Sequence, residues 1–268
     1  MDDEVEQRWP PLYGPLALFI GLVVGVFGGV IVDLLAHAGG ASLNNVPPGV
    51  TDAGTVVQEL GFVVAAVYLA AHIGRVRPSQ FGLVRGRPLW RLIGLVVGGL
   101  VVFYLLSYAW FTALHSSGAE KNLVKDLGGD TGTLGILAAV AVTCVIAPIC
   151  EEVLFRGFIF RSLRNWRGVW PAAAITGILF GLVHGLSAPA VDLLPLGVLG
   201  FVLCLVYERA GSLYPCIALH VLNNAIAFGS DEHWTLRILE AAVASLTAIA
   251  LLLALVHLAS SRWTPASD

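Results

Sequence analysis

A run of about 20 predominantly apolar residues is long enough to cross a bilayer as a helix. Such runs recur eight times in this chain, at roughly 12–36, 55–74, 89–114, 133–160, 169–186, 191–208, 213–229 and 235–259. This recurrence limits the fold more than any other feature, because backbone that crosses lipid must satisfy its own hydrogen bonds. The fold class it implies is all-α, a polytopic membrane helix bundle of about eight transmembrane helices. The charged fraction agrees: it is 12%, against roughly 25% in a soluble domain. A net charge of -3 gives no reason to expect nucleic acid as a partner. Cys144, Cys150, Cys204 and Cys216 lie in apolar segments without C-x-x-C spacing. They read as small buried hydrophobes rather than a disulfide framework or a cysteine-ligated zinc.

Basic residues set the orientation. With the N-terminus inside, the inner side holds Arg8, Arg75, Arg77, Arg85, Arg87, Arg91, Arg161, Arg164, Arg167, Arg209 and Arg262. The outer side holds Lys121, Lys125 and Arg237, and Arg156 is left in the membrane. The expectation is a multi-pass plasma-membrane protein with both termini cytoplasmic. Residues 1–11 form a tail and 12–132 the first three helices with their loops. Residues 133–229 carry the polar motifs, and 230–268 form the last helix and a tail.

The segment "ICEEVLFRG", residues 149–157, places three ionisable groups inside the fourth span. A charge at the centre of a spanning helix costs roughly 2.5–3.5 kcal/mol, so Glu151, Glu152 and Arg156 need a reason to be there. Glu152 and Arg156 are four apart on one face, acid first, which is the favoured order for a pair. Glu151 points about 100° away and has no sequence-local partner. An unpartnered carboxyl in an apolar setting suits general acid or base work. A purely structural charge cluster is the competing reading for a lone Glu.

Two further stretches weigh against that competitor. "FGLVHG" sets Phe180 and His184 four apart on one face of the fifth span, where the ring can pack on the imidazole. "HVLNNA" does the same for His220 and Asn224 in the seventh, with Asn223 facing elsewhere as a helix-packing amide. Together these residues supply a base, an orienting or acid group, and donors for an oxyanion.

The order E-E-x-x-x-R, F-x-x-x-H, H-x-x-x-N resembles the CPBP family of intramembrane proteases. That family includes CAAX prenyl proteases of the Rce1 type and bacteriocin-processing or immunity relatives. Glu151, Glu152 and Arg156 match the first motif, Phe180 and His184 the second, and His220 and Asn224 the third. The lead-in "YERAGSLYPCIALH" before the third motif is similar too. The resemblance covers about 133–228 and implies an endopeptidase acting on a membrane-associated polypeptide. In it Glu151 activates water with help from His184, and His220 and Asn224 stabilise the oxyanion. Phe180 supports, and Glu152 with Arg156 holds the first motif in place. A metal-independent glutamic peptidase without cofactor is expected. Zinc held by Glu151, His184 and His220 is the alternative, although H-E-x-x-H is absent. A proton-coupled transporter and a non-proteolytic immunity or binding protein are the rival functions.

Depth poses a problem for this constellation. If the fifth helix starts at the interface, His184 lies deeper than Glu151 and His220, so that helix must tilt or begin outside the membrane. Other polar residues receive plainer readings. Glu59 and Gln58 fall near the outer end of the second span, and Asp33 near that of the first, where interfacial solvation accounts for them; a contribution to the cavity is the alternative. Asp192 and Trp234 read as interfacial. His37, His72, His115, His233 and His257 lie at span ends or in loops. The arginines from Arg75 to Arg91 act as a topology determinant.

Overall fold

The computed structural model describes residues 9–42, 46–84, 87–116, 127, 132–231 and 242–247. The described residues form seven long helices: α1 (Tyr13–Ala38), α2 (Pro48–Ala71), α3 (Leu89–Ala113), α4 (Thr133–Arg167), α5 (Val169–Val183), α6 (Leu193–Ala210) and α7 (Tyr214–Asp231). Five helical segments are long and apolar enough to cross a membrane: α1, α2, α3, α4, and Ala190–Ala210, which contains α6. The expected eighth span falls largely outside the described residues.

Lipid exposure shows in the side chains. Phe19, Phe27, Leu35, Leu105 and Tyr108 point outward, each more than half exposed. A water-soluble monomer does not carry apolar surface of that extent. The inward faces are selected by size rather than polarity, as in membrane bundles. Gly25 of α1 lies against Gln58 of α2, where an added Cβ would come within 2.6 Å of the Gln58 side chain. Gly177 and Gly181 of α5 let that helix lie directly on α6: a Cβ at Gly181 would sit 2.5 Å from the Leu193 carbonyl oxygen. Backbone cannot step aside as a side chain can, so this seam fixes α5 against α6 and sets where Phe180 and His184 fall.

Helix α4 has 35 residues, about 50 Å at the usual rise, well beyond a hydrocarbon core of about 30 Å. It runs on past the expected end at 160 to Arg167, carrying Arg161 and Arg164 as a helical extension. A sharp turn at Gly168 (φ 79°) then reverses the chain into α5. Glu151 precedes that turn by seventeen residues and His184 follows it by sixteen. The two therefore sit level on antiparallel helices. The depth problem disappears because the fifth helix starts at the end of this extension.

The extension is anchored by aromatic and polar contacts. Trp9 is buried against Phe158 and Phe81, with ring centroids 4.5 Å and 5.1 Å away. Arg164 pairs with Glu208 at 3.0 Å, and Arg161 donates to the Tyr207 hydroxyl at 3.2 Å. The backbone N–H of Leu213, in the α6–α7 turn, donates to the Gly82 carbonyl at 2.8 Å. The four cysteines are buried and free.

Candidate functional site

Arg156 is fully buried and ties three helices together. Its Nη1 lies 2.7 Å from Glu152 Oε1 one turn earlier on α4. Its Nη2 donates to the Gly200 carbonyl of α6 at 3.1 Å, and its guanidinium lies over the Phe180 ring of α5, 4.6 Å from the centroid. The same Glu152 oxygen meets Nδ1 of His220 on α7 at 2.9 Å. A carboxylate already paired with arginine accepts, so Nδ1 of His220 carries the hydrogen. Nε2 then faces Glu151 Oε2 at 3.9 Å.

His184 reaches the same carboxylate from the other side. Helix α5 ends at Val183, which leaves the Phe180 carbonyl among its last, unpaired acceptors. The His184 ring turns back onto that carbonyl, Nδ1 to oxygen 2.7 Å. A carbonyl can only accept, so Nδ1–H is the donor, and Nε2 points to Glu151 Oε1 at 4.0 Å. Phe180 packs on both imidazoles, with centroids 4.9 Å from His184 and 5.7 Å from His220. Glu151 therefore lies between two imidazole Nε2 atoms, too far for direct hydrogen bonds and close enough for one bridging water on each side.

Asn224 is oriented by a defect in α4. The helix widens to i→i+5 hydrogen bonding over Val142–Ile146, where the Ala147 N–H reaches the Val142 carbonyl. The next donor in that register would be residue 148, which is proline and has no N–H. The carbonyl it would have served, Thr143, instead accepts from Asn224 Nδ2 at 3.0 Å. Wide turns of this kind are frequent at functional sites. Pro148→Ala would supply a competing N–H. It is expected to loosen the Asn224 amide and lower any turnover that depends on it by up to about tenfold, the value of one hydrogen bond. Steady-state kinetics of the purified variant checks this.

Asn223 packs against a neighbouring helix as the spacing implied, and it lines the cavity as well. It donates to Asn224 Oδ1 at 3.3 Å and accepts from the Tyr104 hydroxyl of α3 at 3.2 Å. The cavity is wide enough to take both neighbours. It has two lobes that share Thr143, Glu151, His184, Ser187 and Asn224. One, about 140 Å³, adds His220, Asn223 and an apolar wall that includes Leu196, Leu199 and Phe228. The other, about 260 Å³, is walled by Thr55, Gln58 and Glu59 of α2. Glu59 is thus buried, 3% exposed, and not interfacial. Helix α2 starts at Pro48, seven residues before the apolar run, so Glu59 falls at its middle. Asp192 is buried as well, but it stands at the N-cap position of α6, at the end of a span as expected. A carboxyl in the middle of a span is itself a functional signal, and of the two readings the spacing left open for Glu59 the structure takes the cavity one.

The chemistry of one carboxylate and two imidazoles suits zinc. Among the described residues, however, no group of three His, Cys, Asp or Glu side chains is arranged to hold a metal ion. Glu151 meets the two imidazoles through different oxygens, Oε1 toward His184 and Oε2 toward His220, and no step of the reaction is routed through a metal.

A membrane-embedded helix bundle that gathers an acid, two imidazoles and an amide around a cavity has the make-up of a membrane hydrolase. A family model described as Type II CAAX prenyl endopeptidase Rce1-like matches residues 133–226. The chain is 30% identical over 132 residues to the UPF0177 protein YxdF of Lactococcus lactis, covering 47% of this chain and 70% of that one. It is 25% identical over 182 residues to the putative membrane peptidase YdiL of Bacillus subtilis, covering 55% and 73%. An uncharacterized 24.3 kDa protein of Escherichia coli is 30% identical over 129 residues, covering 47% and 58%. No solved structure matches the chain. The chain belongs to the CPBP family of intramembrane proteases.

Proposed function

We propose that this protein is an intramembrane glutamic endopeptidase that hydrolyses a peptide bond of a membrane-associated polypeptide. The observation that carries the reading is the Glu151 carboxylate held between His184 Nε2 and His220 Nε2, at 4.0 Å and 3.9 Å. A water at hydrogen-bond distance from both Glu151 and His184, about 2.8 Å, is oriented by the imidazole and loses its proton to Glu151. Its oxygen attacks the scissile carbonyl. His220, with Nδ1–H committed to Glu152, donates from Nε2 as the imidazolium, and the Glu152 carboxylate supports that charge. With Asn224 Nδ2 it meets the developing oxyanion. Collapse of the tetrahedral intermediate breaks the C–N bond, and the proton held by Glu151 passes to the leaving amine.

Asn224→Ala is expected to keep the fold and substrate binding and to lose roughly 10²–10³ in kcat, the usual value of one oxyanion donor. Single-turnover kinetics separates that loss from binding. The arginine asymmetry supports a plasma-membrane protein with both termini cytoplasmic.

The test of the function is purified protein in detergent against a broad panel of labelled peptides, wild type beside Glu151→Ala, with and without chelator. Cleavage by the wild type alone, insensitive to chelator, is expected. Cleavage by both proteins, or by neither, defeats the reading. Inhibition by chelator that zinc reverses overturns the metal-free mechanism.

A further inference from the structure

The mechanism uses only one of the two carboxyls that face the cavity. Glu59 has no part in it, and a carboxylate withdrawn from water needs a counter-charge or a proton. Glu59 Oε2, Glu151 Oε2 and Thr143 Oγ1 are all buried without a hydrogen-bond partner in the protein. All three belong to residues lining the 260 Å³ lobe. Gln58 lines it as well, and so does Thr55, whose hydroxyl hydrogen goes to the Thr51 carbonyl and leaves its lone pairs free. The described lining residues include no lysine or arginine. Arg156, the buried cation nearby in sequence, is committed to Glu152 and to the Gly200 carbonyl. His184 is the basic side chain on its lining, with Nδ1 committed to the Phe180 carbonyl and Nε2 turned to Glu151 Oε1, which leaves Glu59 without a cation beside it and the lobe rich in acceptors.

We infer that this lobe is a subsite for a basic group of the polypeptide, a lysine ammonium or an arginine guanidinium seated between Glu59 and Glu151. An ammonium offers three N–H donors and no acceptor, which complements three unpartnered oxygens. The lobe adjoins the carboxyl assigned as base, so the basic residue it holds lies close to the scissile bond. The other lobe, to which Leu196, Leu199 and Phe228 add an apolar wall, receives the other side of the chain. Glu59 is thus a specificity-determining residue, and α2 belongs to the substrate site. The inference rests on reading the cavity as a polypeptide site.

Its test is a binding measurement that does not require cleavage. The full chain carrying Asn224→Ala, which keeps both carboxyls and is slow in turnover, is held on resin in detergent and offered a random decapeptide library, and the retained peptides are sequenced. Lysine and arginine are expected to be enriched about tenfold at one position, the value of a charge-assisted hydrogen bond. Adding Glu59→Gln removes the enrichment, whereas Glu59→Asp keeps it. Retention without basic enrichment, enrichment indifferent to Glu59→Gln, or no retention at all overturns the inference. Wild-type cleavage that is indifferent to basic residues defeats the subsite and leaves the peptidase standing. Basic retention without wild-type cleavage defeats the peptidase and leaves the subsite standing.

Discussion

Glu151→Gln is expected to abolish peptide cleavage and leave the protein folded. The side chain makes no contact with a charged partner closer than 3.9 Å, so an amide of the same shape gives up little binding energy. What it gives up is the proton acceptor. General acid–base catalysis contributes about 10²–10⁴ in rate, and the same carboxyl both takes the proton from water and returns it to the amine. Turnover should therefore fall by at least that factor, to the background of the assay. Thermal melting in detergent, run beside the kinetics, should leave the transition where it is in the wild type. A folded and active Glu151→Gln would remove this residue from the role of base.

The neighbouring acid behaves in the opposite way. Glu152→Gln leaves the fully buried Arg156 guanidinium without its counter-charge, and breaking a buried pair costs about 3–5 kcal/mol. The variant should melt well below the wild type and lose activity along with stability. A second change separates the two jobs of Glu152. In Glu152→Gln with Arg156→Met no charge is stranded, and stability should return. Activity should not return, because His220 Nδ1 has lost the carboxylate that supports its imidazolium. If the double variant regains both, Glu152 matters for packing alone. If it regains neither, the contacts of Arg156 to Gly200 and Phe180 matter more than its charge balance.

The helical class of the protein and the side chains that meet at Glu151 were legible because both signals are local. Apolar runs report spans, and residues four apart report a shared face. What spacing could not report was depth. Arg161, Arg164 and Arg167 read as residues beyond the end of a span, whereas they ride on a helix that continues past it, and the continuation levels His184 with Glu151. Glu59 lies deeper than hydropathy implies for the related reason that hydropathy ignores caps: Pro48 starts α2 ahead of Thr51 and Asp52, which the helix carries along. The hold on Asn224 was invisible as well. It depends on a widened turn whose missing donor is Pro148 and whose free carbonyl is Thr143, and neither is a polar side chain to be noticed.

The proposal that Glu151 makes this membrane bundle a peptidase has a cellular readout. It is tested most directly by terminal-peptide mass spectrometry on membranes of cells expressing either the wild type or Glu151→Gln at equal levels. New termini in membrane-associated proteins with the wild type, and none with Glu151→Gln, is the predicted result. The same termini in both, or no new terminus in either, would contradict it.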